Sequence, residues 1–405
     1  MNNTFFSFAR IVDAMGGTAY IVGGAVRDEL MGRIPHDHDV MIVGVDVSAF
    51  ERSFPAAKMT GNAFPVYRID VAGEEVEVAF ARKEEKVEVG HSGFRMVFDP
   101  SVSLEEDLIR RDTTMNAIAR EILTGKVVDL FGGAEDIHNG VIRAISSHFV
   151  EDAVRVLRVA RQAAQFGFSV DSKTIELMRS CREELTVEPK ERIFGEMQKA
   201  LSSAHPSIFF RTLKECDCLS VAFPEIAALV GQTQPAQWHP EGDAFEHSMI
   251  VLDKVATMTN DVTVRFAALF HDIGKGRTQK ELLPKHHGHD RKGVEVINVL
   301  PSCFGRRNKE FASFISEIHM KVHGMKKCGP IRDILHTMRR KGFTAEMVNP
   351  ILCADHGSHP EWMDDAIITT VFEKVAIPSD MPRDRIASFI REKQISRVRA
   401  AIANS

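Results

Sequence analysis

Apolar positions along the chain follow two different rhythms. Over the first 143 residues short apolar runs alternate with helix-like segments, so Tyr20–Val22 reads as a strand, Gly23-Gly24 as a turn, the next residues as a helix and Asp37–Val43 as a second strand. Val66–Val71 and Glu75–Phe80 read as a hairpin around Ala72-Gly73, with Val76, Val78 and Phe80 on one face of its second arm and Glu77, Ala79 and Ala81 on the other. Val127–Phe131 offers a further strand, followed by a Gly132-Gly133 turn. From about Ser146 the pattern changes to helices without strands, and from Leu185 to Leu229 apolar residues keep helical spacing, with Pro189, Pro206 and Pro224 marking helix starts or breaks. An α+β chain is expected: a mixed sheet first, helices afterwards.

Composition sets bounds on this picture. At 405 residues the chain exceeds one typical core, and two to four domains are expected. With 44% hydrophobic and 26% charged residues it is an ordinary globular sequence, and a net charge of −5 gives no global sign of a nucleic-acid partner. The last stretch, Arg383 to Arg399, is locally basic, which fits either a solvated helix face or a contact with nucleic acid. Six cysteines include no Cys-x-x-Cys pair, against a zinc ribbon or a disulfide framework. No run approaches the eighteen apolar residues of a membrane span and no secretory leader is evident, so a cytoplasmic protein is expected.

The candidate chemistry of the first part lies in charged residues at strand ends. Asp37 and Asp39 are expected side by side at the start of the second strand, where two carboxylates can share a hard cation; an acidic turn before a buried strand is the plainer alternative. Glu77, an acidic residue in an otherwise apolar strand, is either exposed or a third carboxylate for such a centre. Gly23 and Gly24 let backbone approach phosphates. Arg110, Arg111 and Asp112 supply phosphate donors and a sugar-hydroxyl acceptor within one turn. The stretch from Arg82 to Val102 reads as a polar loop with Gly90 and Gly93.

Asp152 and Arg155, three apart, are expected on one helix face, with Arg158 and Arg161 continuing the row. This is a salt-bridged surface or a base reader. A guanidinium donating to a ring nitrogen beside a carboxylate accepting from an exocyclic amine suits cytosine and adenine. Guanine and uracil present the reverse pattern and lose ~1–3 kcal/mol per unpaired group. Further on, 11 of the 17 histidines fall between His239 and His359. His247, the pair His271-Asp272 and the distant Asp355 follow the order of an HD metal hydrolase, and imidazoles with carboxylates suit a transition metal better than Mg²⁺. His289 and His319 can hold a second ion or phosphate, and Lys275 can meet a substrate phosphate.

In these motifs the chain resembles a class II CCA-adding tRNA nucleotidyltransferase of the bacterial type with a C-terminal HD domain. The resemblance is carried by Gly23-Gly24-Ala25-Val26-Arg27-Asp28 with Asp37-His38-Asp39, by Arg110-Arg111-Asp112 through Asn116, by Glu151-Asp152 with Arg155, and by Pro189-Lys190-Glu191-Arg192. It implies a nucleotidyltransferase palm like that of the DNA polymerase beta superfamily over residues 1–143. A helical neck and body over 144–235, an all-α HD domain over 236–360 and terminal helices over 361–405 follow. It implies Mg²⁺ on Asp37 and Asp39 with Glu77 as third carboxylate. Nucleotide contacts are implied from Gly23, Gly24, Arg27, Arg110, Arg111, Asp112, Asn116, Arg158 and Arg161, and base reading by Asp152 and Arg155. A transition metal such as Ni²⁺, Co²⁺ or Mn²⁺ is implied on His247, His271, Asp272 and Asp355. The expected partners are the tRNA 3′ acceptor end, CTP and ATP, with no membrane, for a monomer or homodimer adding C, C and A. The loop after Glu77 sits where the family holds the segment linked to A addition. A poly(A) polymerase-type enzyme, or an HD phosphohydrolase with a degenerate palm, is the alternative.

Overall fold

The computed structural model describes residues 3–35, 37–60, 66–71, 74–86 and 94–403. They divide into two compact units, Met1–Met197 with Ile208–Ala222, and Gln198–Ser207 with Phe223–Ser405.

The first unit begins with α1 (Asn3–Ala14), β1 (Thr18–Val22), α2 (Gly24–Leu30), β2 (Asp39–Val43) and α3 (Val47–Ser53). It continues with β3 (Lys58–Thr60), β4 (Val66–Val71), β5 (Glu74–Phe80), β6 (Lys83–Lys86), β7 (Phe94–Val97), α4 (Leu104–Leu108), β8 (Ile118–Glu121) and β9 (Val127–Asp129). A seven-stranded mixed sheet has the order β3-β4-β5-β2-β1-β8-β9, antiparallel except for the β2–β5 pair. Its central strands are covered on both faces. Val40 and Ile42 of β2 pack with Val78 and Phe80 of β5, Phe5 and Phe8 of α1 and Phe50 of α3, while Met41, between them in sequence, packs with Val22, Ala81 and Leu108 on the other face. The β2–β5 pairing matters most for function, because its register sets Asp39 opposite Glu77.

Three sequence expectations change here. The hairpin of β4 and β5 forms as expected, but β2 starts only at Asp39, so Asp37 precedes the strand instead of sharing its face. The stretch from Arg82 to Val102 is not simply a loop: β6 and β7 pair antiparallel within it, polar residues notwithstanding, while Gly90 and Gly93 lie outside the described residues. And strands do not stop at Ser146. After α5 (Gly133–Asn139), β10 (Val141–Ile142) pairs in parallel with β11 (Ser169–Val170), which follows α6 (Val154–Phe166). Then come α7 (Ser172–Ser180), α8 (Lys190–Leu201), α9 (Pro206–Glu215) and α10 (Leu219–Ala222).

The second unit is helical: α11 (Pro224–Ala227), α12 (Ala244–Met258), α13 (Val262–Phe270), α14 (His289–Val299), α15 (Arg306–Val322), α16 (Cys328–Lys341), α17 (Ala345–His356), α18 (Asp365–Val371) and α19 (Arg383–Ala403). At its core Arg265 of α13 is fully buried, donating to the carbonyls of Leu201, Ser203, Ala256 and Thr259 and to Asn260 Oδ1. Helix-end carbonyls that would otherwise be unsatisfied are closed by this one side chain. Among the described residues no helix is long and apolar enough to cross a membrane.

Gly133 opens α5 where the helix meets the short turn Thr114–Asn116. A Cβ there would stand 2.2 Å from the Thr114 carbonyl oxygen, and the approach is fixed by Asp129, whose carboxylate accepts from the Gly133 and Ala134 amides at 2.9 and 2.8 Å. Gly133→Ala is therefore expected to destabilise the first unit by about 2 kcal/mol through overpacking against backbone, measurable as a lowered denaturant midpoint. Ala134→Gly, one position on, is expected to cost less than half as much.

Candidate functional site

The head site gathers where β1 ends. Gly23 takes φ 70° and ψ −128°, a conformation open to glycine, and a Cβ there would lie 3.1 Å from Arg111 Nη1. The turn thus lets an arginine lie against backbone. Asp39 stands at the start of β2 with Glu77 beside it in register. Although Asp39 as a residue is exposed, protein crowding around its carboxyl raises its pKa. Arg111 pulls the pKa down, and the negative charges of Glu77 and Asp37 push it up. Glu77 also faces its cross-strand neighbour Arg68, 3.0 Å away in a half-exposed pair. Among the described residues Asp37, Asp39 and Glu77 do not bring three donor oxygens within 4.8 Å of one another.

Behind this edge a chain of polar contacts runs from α2 to α6. Arg27 donates to Asp28 Oδ1 and, at 2.7 Å, to Asn116 Oδ1, and its guanidinium lies 4.7 Å from the centre of the Phe166 ring. Asn116 in turn donates to Asp112 Oδ1 at 3.0 Å. Asp112 is buried and accepts from four donors: the Thr113 amide, Asn116, Arg158 at 2.7 Å and Gln162 at 3.1 Å. Burial alone would raise its pKa, but Arg158 and these hydrogen bonds hold it far below the usual carboxylate range. In the structure the acceptor sites of this carboxylate are taken by protein donors, and it orients Asn116 and Arg158.

Arg110 and Arg111 are fixed by a residue that sequence reasoning passed over. Asp107, fully buried in α4, takes Arg110 on Oδ1 at 2.6 Å and Arg111 on Oδ2 at 3.2 Å. Burial would raise its pKa; the two arginines outweigh that and lower it. The signal was present in sequence as an acid three and four residues before an arginine pair, the helical spacing for side-chain contact.

Contrary to expectation, Asp152 and Arg155 do not share a helix face. Asp152 is extended, between a 3₁₀ turn at Ser147–Glu151 and α6, and its side chain accepts from the Val154 amide at 3.1 Å. The arginine against it is Arg192, at 3.6 Å, from the Pro189–Arg192 motif. Arg155 is buried in the first turn of α6 and donates to the His148 carbonyl. Arg161 pairs with Glu196 at 2.5 Å.

In the second unit the expected ligands converge. His247 Nε2 lies 3.0 Å from Asp355 Oδ1 and 3.7 Å from Asp272 Oδ2, and His271 Nε2 lies 3.3 and 3.8 Å from Asp272 Oδ2 and Asp355 Oδ1. On the other oxygen of Asp272, His289 Nε2 and His319 Nε2 stand 3.2 and 3.3 Å away. Two donor groups, His247-His271-Asp355 and Asp272-His289-His319, therefore meet at one buried carboxylate. Each imidazole is turned the same way. Nδ1 of His271, His289 and His319 faces the carbonyls of Ala268, His286 and Ser316, and Nδ1 of His247 faces Glu241, so Nε2 is free to point inward.

These donors fit a metal. His271 Nε2 and Asp272 Oδ1 are buried with no hydrogen-bond partner, an expensive arrangement unless a cation engages them. Burial would lower the His271 pKa, yet Asp272 and Asp355 raise it to about 9. Lys275, buried, is bonded to Asp272 and to Gln234, so its ammonium braces the carboxylate. Gly274 makes the approach of its segment to α14 possible: a Cβ there would lie 2.0 Å from the His289 carbonyl oxygen.

Residues 19–143 match the poly A polymerase head domain, residues 167–229 the probable RNA and SrmB-binding site of polymerase A, and residues 244–339 the HD domain. A crystal structure of the Bacillus stearothermophilus CCA-adding enzyme in complex with CTP is similar at 22% identity and TM-score 0.65, covering 99% of this chain and 93% of that one. A CCA-adding enzyme with ATP matches at 18% and 0.65, covering 98% and 92%. A tRNA nucleotidyltransferase with a primer tRNA and an incoming ATP analog matches at 21% and 0.56, covering 86% and 94%. The chain thus matches, in order, the models of a poly A polymerase head, a probable RNA-binding site and an HD domain, in a fold shared with the CCA-adding enzyme structures.

The buried Asp112 gives a prediction. A carboxylate with a depressed pKa contributes stability that is present above its unfolded value near 4 and is lost as pH falls below it. Asp112→Ala is expected to cost about 3 kcal/mol at neutral pH, by leaving Arg158 and Gln162 without their partner, and to flatten the acid limb of the stability curve. Urea denaturation between pH 3 and pH 7 measures both; an unchanged acid limb would remove Asp112 from this role.

Proposed function

We propose that this chain, built on a poly A polymerase head, an RNA-binding segment and an HD domain, adds C, C and A to the 3′ end of tRNA from CTP and ATP. The observation that carries the reading is the register of β2 against β5, which puts Asp39 and Glu77 side by side next to Arg111 and the Gly23-Gly24 turn. Asp37, Asp39 and Glu77 would hold Mg²⁺. The fit rests on the register that sets Asp39 beside Glu77: burial first, and then the negative charges of Glu77 and Asp37, raise the Asp39 pKa, and a cation would offset both. Glu77 can leave Arg68 at little cost, since a half-exposed ion pair contributes under about 1 kcal/mol. When bound, such ions activate the attacking 3′-hydroxyl and neutralise the departing pyrophosphate.

The remaining roles belong to the chain itself. Arg111, Arg110 and the backbone of Gly23 and Gly24 receive the triphosphate, with Arg27, Arg158 and Arg161 as further cations held ready by Asn116, Asp112 and Glu196. Asp152 offers an acceptor for an exocyclic amine. The arginine donating to the neighbouring ring nitrogen is Arg155, once it leaves the His148 carbonyl, or Arg192, already beside Asp152. A poly(A) polymerase-type activity is the second reading, favoured by the head domain alone. Likeness to CCA-adding structures over almost the whole chain supports the tRNA enzyme instead.

The HD unit is read as a second hydrolase site with phosphatase, 2′,3′-cyclic phosphodiesterase and 2′-nucleotidase activity. His247, His271, Asp272 and Asp355 would hold one transition metal, and Asp272, His289 and His319 a second. Such metals supply a Lewis acid and an activated water.

Two experiments separate these parts. Asp39→Ala is expected to lower CMP and AMP incorporation into tRNA lacking its terminus by at least a hundredfold while leaving HD phosphatase activity intact, and His271→Ala is expected to do the reverse. Incorporation above a few per cent in Asp39→Ala would remove the carboxylate from the reaction. For the base reader, Asp152→Ala is expected to admit U and G into products, and the comparison of Arg155→Ala with Arg192→Ala identifies its partner. Unchanged selectivity in all three variants would place base recognition elsewhere.

A further inference from the structure

The helical unit holds an open cavity of about 580 Å³ that is lined by none of the HD ligands. One side of it is a face of α17, on which Glu346, Asn349 and Cys353 follow at helical spacing. The rest includes His359, in the segment after that helix, and Asp364 and Asp365, where α18 begins.

Three of these side chains form a relay. Cys353 Sγ lies 3.3 Å from His359 Nδ1, and His359 Nε2 lies 2.8 Å from Asp364 Oδ1. A carboxylate only accepts, so Asp364 takes the Nε2–H and leaves the Nδ1 lone pair toward the thiol. Burial raises the Cys353 pKa, so the resting group is a thiol and its reaction needs a base within reach. His359 stands where that base must be, and Asp364 fixes its tautomer and steadies the imidazolium that forms when it takes the proton. With both ring nitrogens engaged, this imidazole is placed to pass a proton and not to hold a metal.

The charge of the cavity selects what the thiol meets. Glu346, Asp364 and Asp365 supply three carboxylates, and the lining includes no lysine or arginine. Asn349 Oδ1, one helical turn before Cys353, is buried with no hydrogen-bond partner, and Pro350 has no amide to offer the Glu346 carbonyl. Such an excess of acceptors and negative charge calls for a ligand that brings N–H donors and positive charge. It repels phosphate esters, and it disfavours acyl transfer, which would build an oxyanion among carboxylates. Exchange with a disulfide forms no oxyanion.

We propose that Cys353 is an exchange site for aminothiol disulfides, small disulfides whose arms end in ammonium groups, with His359 as its general base. His359 takes the thiol proton as Cys353 Sγ attacks one sulfur of the disulfide. A bond forms between Sγ and that sulfur, the S–S bond of the ligand breaks, and the departing sulfur takes the proton from His359 and leaves as the aminothiol. Cys353 is oxidised to a mixed disulfide while the departing half is reduced, so the disulfide is the only oxidant required. The ammonium group of the retained half rests among Glu346, Asn349 and Asp365.

Treating the full-length protein with cystamine and following the adduct on each cysteine by peptide mass mapping tests this. Cys303 and Cys328, half-buried like Cys353, serve as internal references. Cys353 is expected to form the mixed disulfide about tenfold faster than either. At Cys353 the neutral hydroxyethyl disulfide is expected to react several-fold more slowly than cystamine and the anionic dithiodipropionate more slowly still, with about 1 M salt compressing the difference. His359→Gln is expected to slow Cys353 by about tenfold or more and to leave Cys303 and Cys328 unchanged. Glu346→Gln combined with Asp365→Asn is expected to remove the preference for cystamine while the relay stays intact. The buried Cys181, Cys216 and Cys218 report on folding, because they react only where a variant opens; should His359→Gln do so, Asp364→Asn replaces it with the same slowing expected. Cys353 reacting no faster than the references, an unchanged rate in the relay variant, or equal rates with cystamine and dithiodipropionate overturns the proposal.

Discussion

A carboxylate taken out of water must be surrounded by donors, and each unit is arranged around one that is. In the head unit Asp112 accepts from Thr113, Asn116, Arg158 and Gln162, and through Asn116 it steadies Arg27. In the helical unit Asp272 is approached by Lys275 and four imidazoles. The physics is shared and the outcome differs. Asp112 is saturated by protein donors and serves as a fixed point, whereas Asp272 keeps an oxygen with no hydrogen-bond partner and is left open to a cation. Whether a buried acid is structural or chemical is thus decided by what remains unsatisfied around it.

This distinction explains which parts of the site were legible in the sequence. The metal-site residues His247, His271, Asp272 and Asp355 announce themselves by type, because buried imidazoles and carboxylates in such numbers have few structural uses. What orients them does not. The partners of Nδ1 on His271, His289 and His319 are backbone carbonyls, which every residue carries and no sequence pattern marks. In the head unit the β4–β5 hairpin was readable from alternation, and Glu77 from its breach of that alternation. That Glu77 belongs with Asp39 was offered by the family resemblance, but the register that sets them opposite one another was not readable, since it comes from pairing between strands that are distant in sequence. Asp152 misled for a local reason. Its spacing from Arg155 fits a helix, but the chain enters α6 through a 3₁₀ turn and an extended residue, so helical neighbours were inferred one turn too early. The β6–β7 ladder was hidden by polarity, because Lys83–Lys86 is charged at every position and offers no apolar alternation to mark a strand.

Glycine carries a related constraint. Gly23, Gly133 and Gly274 lie where a Cβ would meet the Arg111 guanidinium, the Thr114 carbonyl and the His289 carbonyl. In two of the three the neighbour is backbone, which cannot rotate aside as a side chain can. Gly274 therefore sets the spacing between the segment that carries Asp272 and the helix that begins at His289, and that spacing brings His289 Nε2 to 3.2 Å from Asp272 Oδ1.

The two centres also differ in how committed they are before a ligand arrives. In the HD unit four imidazoles are already rotated with Nε2 inward and held there by second contacts, so little ordering remains to be done on binding a transition metal. In the head, Asp37 lies outside the strand, Glu77 rests on Arg68, and three carboxyl oxygens do not converge. Oxygen donors of this kind suit Mg²⁺, which keeps several waters and takes much of its coordination from substrate phosphates. On the proposed reading, a centre completed only when a triphosphate brings its own oxygens would need no closed protein cage, and the open set of carboxylates beside Arg111 fits that requirement.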